Sequence, residues 1–372
     1  MKPGLSFIRS ELDDRRRKSR LRHADPSVAG LVSFCSNDYL GLSRHPDLIA
    51  ASREALEASG TGSGASRLVS GTLPVHQLLE QELASFTGRE SALLFNSGFQ
   101  MNTTLLAALA DRSSVVYMDR LNHNSLYQGA MLSRATLRRY AHLDMAHLDR
   151  LLQGDASTLA RKFIVTESVF SMDGDVAPID ALIEIADRHG AILIVDEAHS
   201  LGLEGKEGRG LCYGKSGVDI LLGTFGKAFG SFGAFVACSI EVREYLVNTC
   251  AGFIYTTALP PAVAAATLEA TRRMPGFEHE RRIVRELSSL LRSGLDELGI
   301  DTRGSRSAIV PAVLGSDAAA LAASAHLASA GFLVQAIRPP TVEEGTARLR
   351  FTLSAAHTSD QVRALLAAFA AR

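Results

Sequence analysis

Ile192-Leu193-Ile194-Val195-Asp196-Glu197-Ala198-His199 is a run of four apolar residues followed at once by a carboxylate. The four read as a strand covered on both faces, since a half-exposed strand would alternate with polar residues. Short apolar runs of the same kind recur at Ala92–Phe95, Val115–Met118, Phe163–Thr166, Ile220–Leu222 and Ala234–Ala237. Helical stretches such as Pro178–His189 lie between some of them, and this alternation predicts an α/β fold with a mainly parallel central sheet. Asp196 then stands at the carboxyl end of its strand, the edge at which open α/β sheets bind ligands. A carboxylate there can cap a helix, bind a metal or pair with a buried cation; Asp-x-x-His alone does not choose.

At 372 residues the chain is long for one core, and two unequal domains are expected. The pattern gives an N-terminal helix and arm over 1–45, a large domain over 46–265 and a smaller α+β domain over 266–372. In the first, residues 5–22 read as an amphipathic helix with Leu5, Ile8, Leu12 and Leu21 as apolar stations. A second helix is expected from Pro46 to Ala58, then a glycine- and serine-rich loop, 59–72, whose length marks it as functional. After Leu259-Pro260-Pro261 a long helical region with a Pro275-Gly276 break reaches Leu298. Strand-like runs follow at Ala308–Leu314, Phe332–Ile337 and Leu349–Leu353, with a helix over 317–330. Val362, Leu365, Leu366 and Phe369 mark a last helix.

The net charge of −1 gives no bulk electrostatic case for nucleic acid or an acidic membrane. Arg15-Arg16-Arg17-Lys18, with Arg20 and Arg22, follows Glu11, Asp13 and Asp14 and reads as a solvated helix face. Cys35, Cys212, Cys238 and Cys250 are far apart and form no ligand cluster, so no structural metal or disulfide scaffold is expected, in keeping with a reducing cytoplasm. Neither a signal peptide nor a membrane span is expected.

Two further strand ends carry unusual residues. Thr224-Phe225-Gly226-Lys227-Ala228-Phe229-Gly230 sets one of only six lysines, against 33 arginines, among glycines and phenylalanines. Such a setting disfavours the ammonium, and a lysine of that kind can form Schiff bases; a lysine snorkelling from a glycine turn is the plainer alternative. Phe95-Asn96-Ser97-Gly98-Phe99 turns a strand into a helix whose first N–H groups can hold an anion, although Ser-Gly also occurs at innocent turns. An imine-forming lysine, a carboxylate for a pyridinium nitrogen and a phosphate cradle together are what pyridoxal phosphate (PLP) requires.

With Ser36-Asn37-Asp38-Tyr39-Leu40-Gly41-Leu42, Thr166-Glu167-Ser168-Val169-Phe170-Ser171-Met172-Asp173-Gly174-Asp175 and the Asp196–His199 and Thr224–Gly230 segments, the chain resembles the α-oxoamine synthases. These are PLP enzymes of fold type I, the aspartate-aminotransferase fold. Ile337-Arg338-Pro339-Pro340-Thr341-Val342 points to the biotin-pathway branch, and Gly345–Arg350 extends the likeness to the tail. The resemblance implies that Lys227 carries the cofactor as a Schiff base, that Asp196 pairs with its pyridinium nitrogen and that His199 approaches its phenolic oxygen. It implies His123 stacked over the ring, Gly98, Phe99 and Thr224 at the phosphate, and Ser171 at the cofactor. Arg350 is expected at the amino-acid carboxylate, with Asn37, His123, Arg22 and Thr341 also at substrate. In a homodimer with shared sites, Thr256 or Thr257 reaches the partner's phosphate.

The implied reaction is a decarboxylating condensation of L-alanine with a pimeloyl thioester (of CoA or of an acyl carrier protein). Its products are 8-amino-7-oxononanoate, the thiol and carbon dioxide. Other α-oxoamine synthases, using glycine (2-amino-3-ketobutyrate ligase, 5-aminolevulinate synthase) or long acyl chains (autoinducer or sphingoid-base synthases), are the nearest alternatives. An aminotransferase and a non-catalytic PLP-fold module are more remote. The sequence departs from the family at Ser200-Leu201, where His-Gly-Thr-Gly is usual after the alanine, at Gln100-Met101 and at Asn122.

Overall fold

Burial on both faces is what the six apolar runs have in common, and all six form strands of one seven-stranded sheet. The computed structural model describes residues 3–22, 30–155 and 159–372. In spatial order the strands are Ser91–Phe95, Ala234–Cys238, Ile220–Thr224, Ile192–Asp196, Arg161–Glu167, Ser114–Asp119 and Thr136–Tyr140. Only Ala234–Cys238 runs against the others. The sheet is therefore mainly parallel, as the pattern predicts. Thr136–Tyr140 has no apolar run to announce it: Thr-Leu-Arg-Arg-Tyr lies at the sheet's edge and is largely open to solvent. Against one face, helices Gly98–Leu109 and Asn124–Ser133 pack on Leu93, Val116, Val165, Ile194, Leu222 and Val236.

This sheet belongs to a unit comprising Asn37–Ser171 and Val176–Arg282. A second unit gathers residues of the N-terminal arm, Met172–Asp175 and Ile283–Arg372. Its three-stranded antiparallel sheet is ordered Gln335–Ile337, Ala347–Thr352, Ile309–Gly315. The single run expected over Phe332–Ile337 is divided between two sheets. Phe332–Leu333 pairs in parallel with Val32–Ser33, whereas Gln335–Ile337 pairs antiparallel with residues 348–350. The Met172–Asp175 segment is clasped within this unit: the Arg306 N–H donates to the Gly174 carbonyl at 2.9 Å, and Arg348 pairs with Asp173, both buried.

The N-terminal helix is Ser6–Arg17, shorter than its apolar pattern suggests, because Ser19 takes a left-handed backbone (φ 56°) and turns the chain. Asp13–Arg16, Asp14–Arg17 and Asp14–Lys18 pairs line its charged face, the solvated arrangement expected for residues 15–18, whereas Arg20 lies beyond the helix, half-buried and paired with Asp317 and Glu344. Leu5, Phe7, Ile8 and Leu12 are exposed. Elsewhere helix bounds follow the sequence closely: Pro46–Ser59 has proline in its first turn, and Asp317–Ser329 and Ser359–Ala370 begin at Ser316 and Thr358 caps. Among the described residues no helix is long and apolar enough to cross a membrane, and no group of three or more metal-binding side chains gathers.

Candidate active site

Five strand ends on the carboxyl edge of the large sheet carry polar groups, and local sequence explains each. At Asp196 the strand stops because the carboxylate turns back on its own chain, Oδ1 accepting from the Ala198 N–H at 2.9 Å. Its other oxygen accepts from Asn102 Nδ2 at 2.9 Å, and that amide also donates to Ser125 Oγ at 3.0 Å. Asp196 is buried, so this pair of donors holds a carboxylate that water scarcely reaches. The Asn102 Oδ1 atom is buried and has no hydrogen-bond partner.

Neighbouring strands end in Glu167 and Asp119. Glu167 accepts from the His123 N–H through Oε1. Burial, and then the nearby Asp196 charge, push its pKa up, against the pull of Lys227. Asp119 accepts from the Leu121 and Leu143 N–H groups, both at 2.9 Å, and so shapes the turn that carries His123. His123 caps the helix Asn124–Ser133, with Nδ1 2.7 Å from Ser125 Oγ. The residue as a whole is exposed. Desolvation first, and then Lys227, hold its pKa down, while Asp196 opposes them. The fields of Asp196 and Lys227 therefore both act on His123 and Glu167, which places the four groups in one cluster.

Lys227 lies on the loop after strand Ile220–Thr224. Gly230 closes that loop at φ 61°, where a Cβ would stand 2.4 Å from backbone atoms of Leu42 and Ser43; only glycine fits. Lys227 Nζ is 3.0 Å from His199 Nε2, and His199 Nδ1 is 2.7 Å from the Tyr39 hydroxyl. Tyr39 lies in the Ser36–Leu42 segment, whose Asn37 Oδ1 accepts from the same hydroxyl at 3.4 Å.

Ser97 caps the helix Gly98–Leu109, its hydroxyl accepting from the Gln100 N–H at 3.2 Å. Gly98 and Phe99 thus occupy the first turn, where N–H groups lack helical acceptors. A Cβ on Gly98 would stand 3.8 Å from Thr224 Cβ and Oγ1, filling the space between helix start and hydroxyl. An imine-forming amine, a buried carboxylate, an imidazole and this N–H cradle suit an aromatic aldehyde bearing a phosphate and a basic ring nitrogen. The residues fit PLP.

The structure thus brings Asn37, Gly98, Phe99, His123, Asp196, His199, Thr224 and Lys227 to one edge, with Ser171 buried after the neighbouring strand. Thr256 and Thr257 border the same cradle. Gln100 Nε2 donates to Thr256 Oγ1 at 2.6 Å, and Asn96 Nδ2 to the Thr257 carbonyl at 2.8 Å. Arg22, Thr341 and Arg350 belong to the other unit. There Arg22 Nη2 donates to Thr341 Oγ1 at 2.9 Å, and Arg350 is buried on its strand opposite Gln335 and Pro311.

The unusual residues of this chain are each bonded in place: Ser200 Oγ to Glu197 Oε1 at 2.8 Å, Gln100 as above, and Asn122 Nδ2 to the Val165 carbonyl at 2.7 Å. Sequence reasoning gave no role to Asn102, Tyr39 or Glu167. Glu167 ends an apolar run just as Asp196 does, a signal that was present; Asn102 inside a helix offers none.

A model of the family "Aminotransferase class I and II" matches residues 29–369. The chain is 48% identical to the 8-amino-7-oxononanoate synthase of Geobacter sulfurreducens, covering 91% of this chain and 88% of that one. Among solved structures, a serine palmitoyltransferase from S. paucimobilis with PLP–myriocin bound superposes with a TM-score of 0.91 at 30% identity, over 99% of this chain and 97% of that one. The 8-amino-7-oxononanoate synthase of Francisella tularensis gives 0.81 at 30% identity, over 92% and 98%. The chain belongs to the class I and II aminotransferase family, in its 8-amino-7-oxononanoate synthase branch.

Proposed function

We propose that this protein is a PLP-dependent acyltransferase of biotin biosynthesis, condensing L-alanine with a pimeloyl thioester to give 8-amino-7-oxononanoate, free thiol and carbon dioxide. The observation that carries the chemistry is the Lys227–His199 contact at 3.0 Å on the sheet edge that also holds buried Asp196. Near-half identity along nine-tenths of the chain supports the choice of branch over long-chain acyl enzymes, which share the fold at lower identity.

Lys227 would hold PLP, which would supply an electron sink for negative charge at the α-carbon of the amino acid once that amino acid's nitrogen has taken the lysine's place. Asp196, fixed by Asn102 and the Ala198 N–H, keeps a proton on the pyridine nitrogen. Gly98, Phe99 and Thr224 would hold the phosphate, Ser171 would contact the cofactor, and His123 would cover the ring and limit access of water. Once the amino group of alanine has replaced it, the freed Lys227 amine would take the Cα proton of alanine, a general-base step of a kind worth about 10²–10⁴-fold. Arg350 binds the amino-acid carboxylate, through a planar fork that lysine cannot copy. Asn37, Arg22 and Thr341 contact substrate.

We further propose a cytoplasmic homodimer in which Thr256 or Thr257 reaches the partner's phosphate. Exposed Phe99 and Tyr255 beside the cradle support a second chain there. Purified protein given PLP, pimeloyl-CoA and either alanine, glycine, serine or 2-aminobutyrate tests the whole reading by release of free thiol. Alanine is expected to be the fastest; faster release with glycine or serine overturns the assignment.

A further inference from the structure

Two buried side chains, Asn102 and Ser125, join Asp196 to His123. They stand on the packed helices Gly98–Leu109 and Asn124–Ser133. One turn beyond Ser125, Gly129 lets the helices meet this closely: a Cβ there would stand 2.3 Å from the Asn102 carbonyl oxygen. Asn102 Nδ2 lies 2.9 Å from Asp196 Oδ2 and 3.0 Å from Ser125 Oγ. Ser125 Oγ lies 2.7 Å from His123 Nδ1, and the Ser125 N–H donates to the same nitrogen at 3.3 Å.

The direction of each hydrogen bond follows from the carboxylate at one end. A carboxylate only accepts, so the Asn102 amide must turn its NH2 group to Asp196. A flipped amide would set oxygen against oxygen, which accounts for Asn102 Oδ1 staying buried without a partner. The second amide hydrogen goes to Ser125 Oγ, and the serine O–H is left for His123 Nδ1. With the Ser125 N–H aimed at the same atom, two donors converge on Nδ1. A ring nitrogen that carries a hydrogen cannot receive them, so the neutral ring has its hydrogen on Nε2. The charges acting on this ring are Asp196, which favours an imidazolium, and Lys227, which disfavours it; Glu167 accepts from the His123 backbone N–H. A second proton would have to enter at Nδ1, the position that Ser125 occupies.

We propose that Ser125, steered by Asn102, is a positioning residue that fixes His123 as a neutral imidazole with its hydrogen on Nε2. The purpose of that state rests on the PLP reading above: an uncharged ring over the cofactor would leave the Asp196 charge to the pyridine nitrogen. Ser125 acts through His123 and touches none of the reacting atoms. Removing its hydroxyl takes away the shorter of the two bonds to Nδ1 and lets the other tautomer compete.

The test is nitrogen NMR of isotope-labelled histidine in the purified protein at about pH 8, where ordinary imidazoles are neutral. Spectra are taken with and without PLP, and the His123 signals are assigned by their loss in His123→Gln. Wild type should show Nδ1 bare and Nε2 carrying the hydrogen. In Ser125→Ala the ratio of that tautomer to the other should fall at least about fivefold. With PLP and both substrates its kcat should fall about tenfold. Asn102→Ala should move the ratio the same way by about twofold, and should add nothing in the Ser125→Ala background. An unmoved ratio in Ser125→Ala overturns the proposal, as does an equal effect of Asn102→Ala with and without the serine. Should Ser125→Ala fold poorly, wild type still decides, because a hydrogen found on Nδ1 there is equally fatal. Borohydride reduction separates the two levels of argument. If wild type acquires no PLP label at Lys227, the cofactor reading fails and the proposed purpose with it. A labelled wild type whose tautomer ignores Ser125 sinks this inference alone.

Discussion

At the scale of single residues the proposed site divides into groups assigned to the cofactor, such as Lys227 and Asp196, and groups that hold them, such as Asn102. Lys227→Ala removes both the point of attachment and the proposed base, so turnover should fall at least about 10³-fold while the protein stays folded. Borohydride trapping followed by peptide mapping checks this, and near-normal turnover would exclude Lys227 as the base. Asp196→Asn keeps the shape and can still meet Asn102, but no longer offers the pyridine nitrogen a charge. Turnover about 10²–10³-fold lower is expected, with the melting temperature little changed. A variant with wild-type kinetics would move the electrostatic role away from Asp196.

Among elements, the segment after strand Ile192–Asp196 is held by a carboxyl with no part in the proposed chemistry. Glu197 is fully buried, and its Oε1 accepts from Ser200 Oγ at 2.8 Å and the Leu211 and Cys212 N–H groups at 2.6 and 3.1 Å. Burial pushes its pKa up from 4.5 to about 7. Between those values the folded chain keeps a proton that the unfolded chain has released, so the stability it contributes is full below about 4.5 and lost as pH rises through 7. Thermal midpoints from pH 5 to 8 should therefore slope less in Glu197→Gln than in wild type, and parallel curves would refute this. The Asp173–Arg348 pair makes a different prediction. Both side chains are buried, so Arg348→Met strands a carboxylate on the Met172–Asp175 segment and should cost about 3–5 kcal/mol in urea unfolding. A loss below about 1 kcal/mol would show that Asp173 finds water or another donor.

Over the whole molecule, two histidines act on the acid limb of stability, buried His76 in one unit and half-buried His357 in the other. His76 accepts from the Leu73 N–H at 3.0 Å and lies 2.7 Å from the Leu259 carbonyl; His357 lies 2.9 Å from the Ser33 carbonyl. Burial holds the pKa of both below the ordinary 6.5. The unfolded chain takes up protons there first, so stability is complete above about 6.5 and declines as pH falls below it. His357→Gln should make the fall in melting temperature between pH 7 and 5 shallower; an unaltered slope would remove His357 from this account.

How much could be read in advance depends on the range of the interactions. Ile192–Asp196, the Ser97-Gly98 turn and the Lys227 loop are local statements: an apolar run, a cap and a glycine-lined amine are legible one by one, and only their combination pointed to a cofactor. Six of seven strands were legible because strands buried on both faces must be apolar throughout. Thr136–Tyr140 was not, since an edge strand open to solvent has no such constraint. Phe332–Ile337 likewise looked like one strand because composition does not record which neighbour each half will pair with.

The amino-acid sequence by itself thus determined the layered α/β class and pointed to PLP chemistry with a candidate lysine, carboxylate and cradle, because each depends on residue type and its immediate neighbours. Only the tertiary structure decided that Tyr39 meets His199, 160 residues away, that Asn102 steadies Asp196 across 94, and that Arg348 pairs with Asp173 across 175. The physical reason is that a hydrogen bond needs atoms within about 3 Å, and that approach is fixed by strand register and helix packing, which no local pattern encodes.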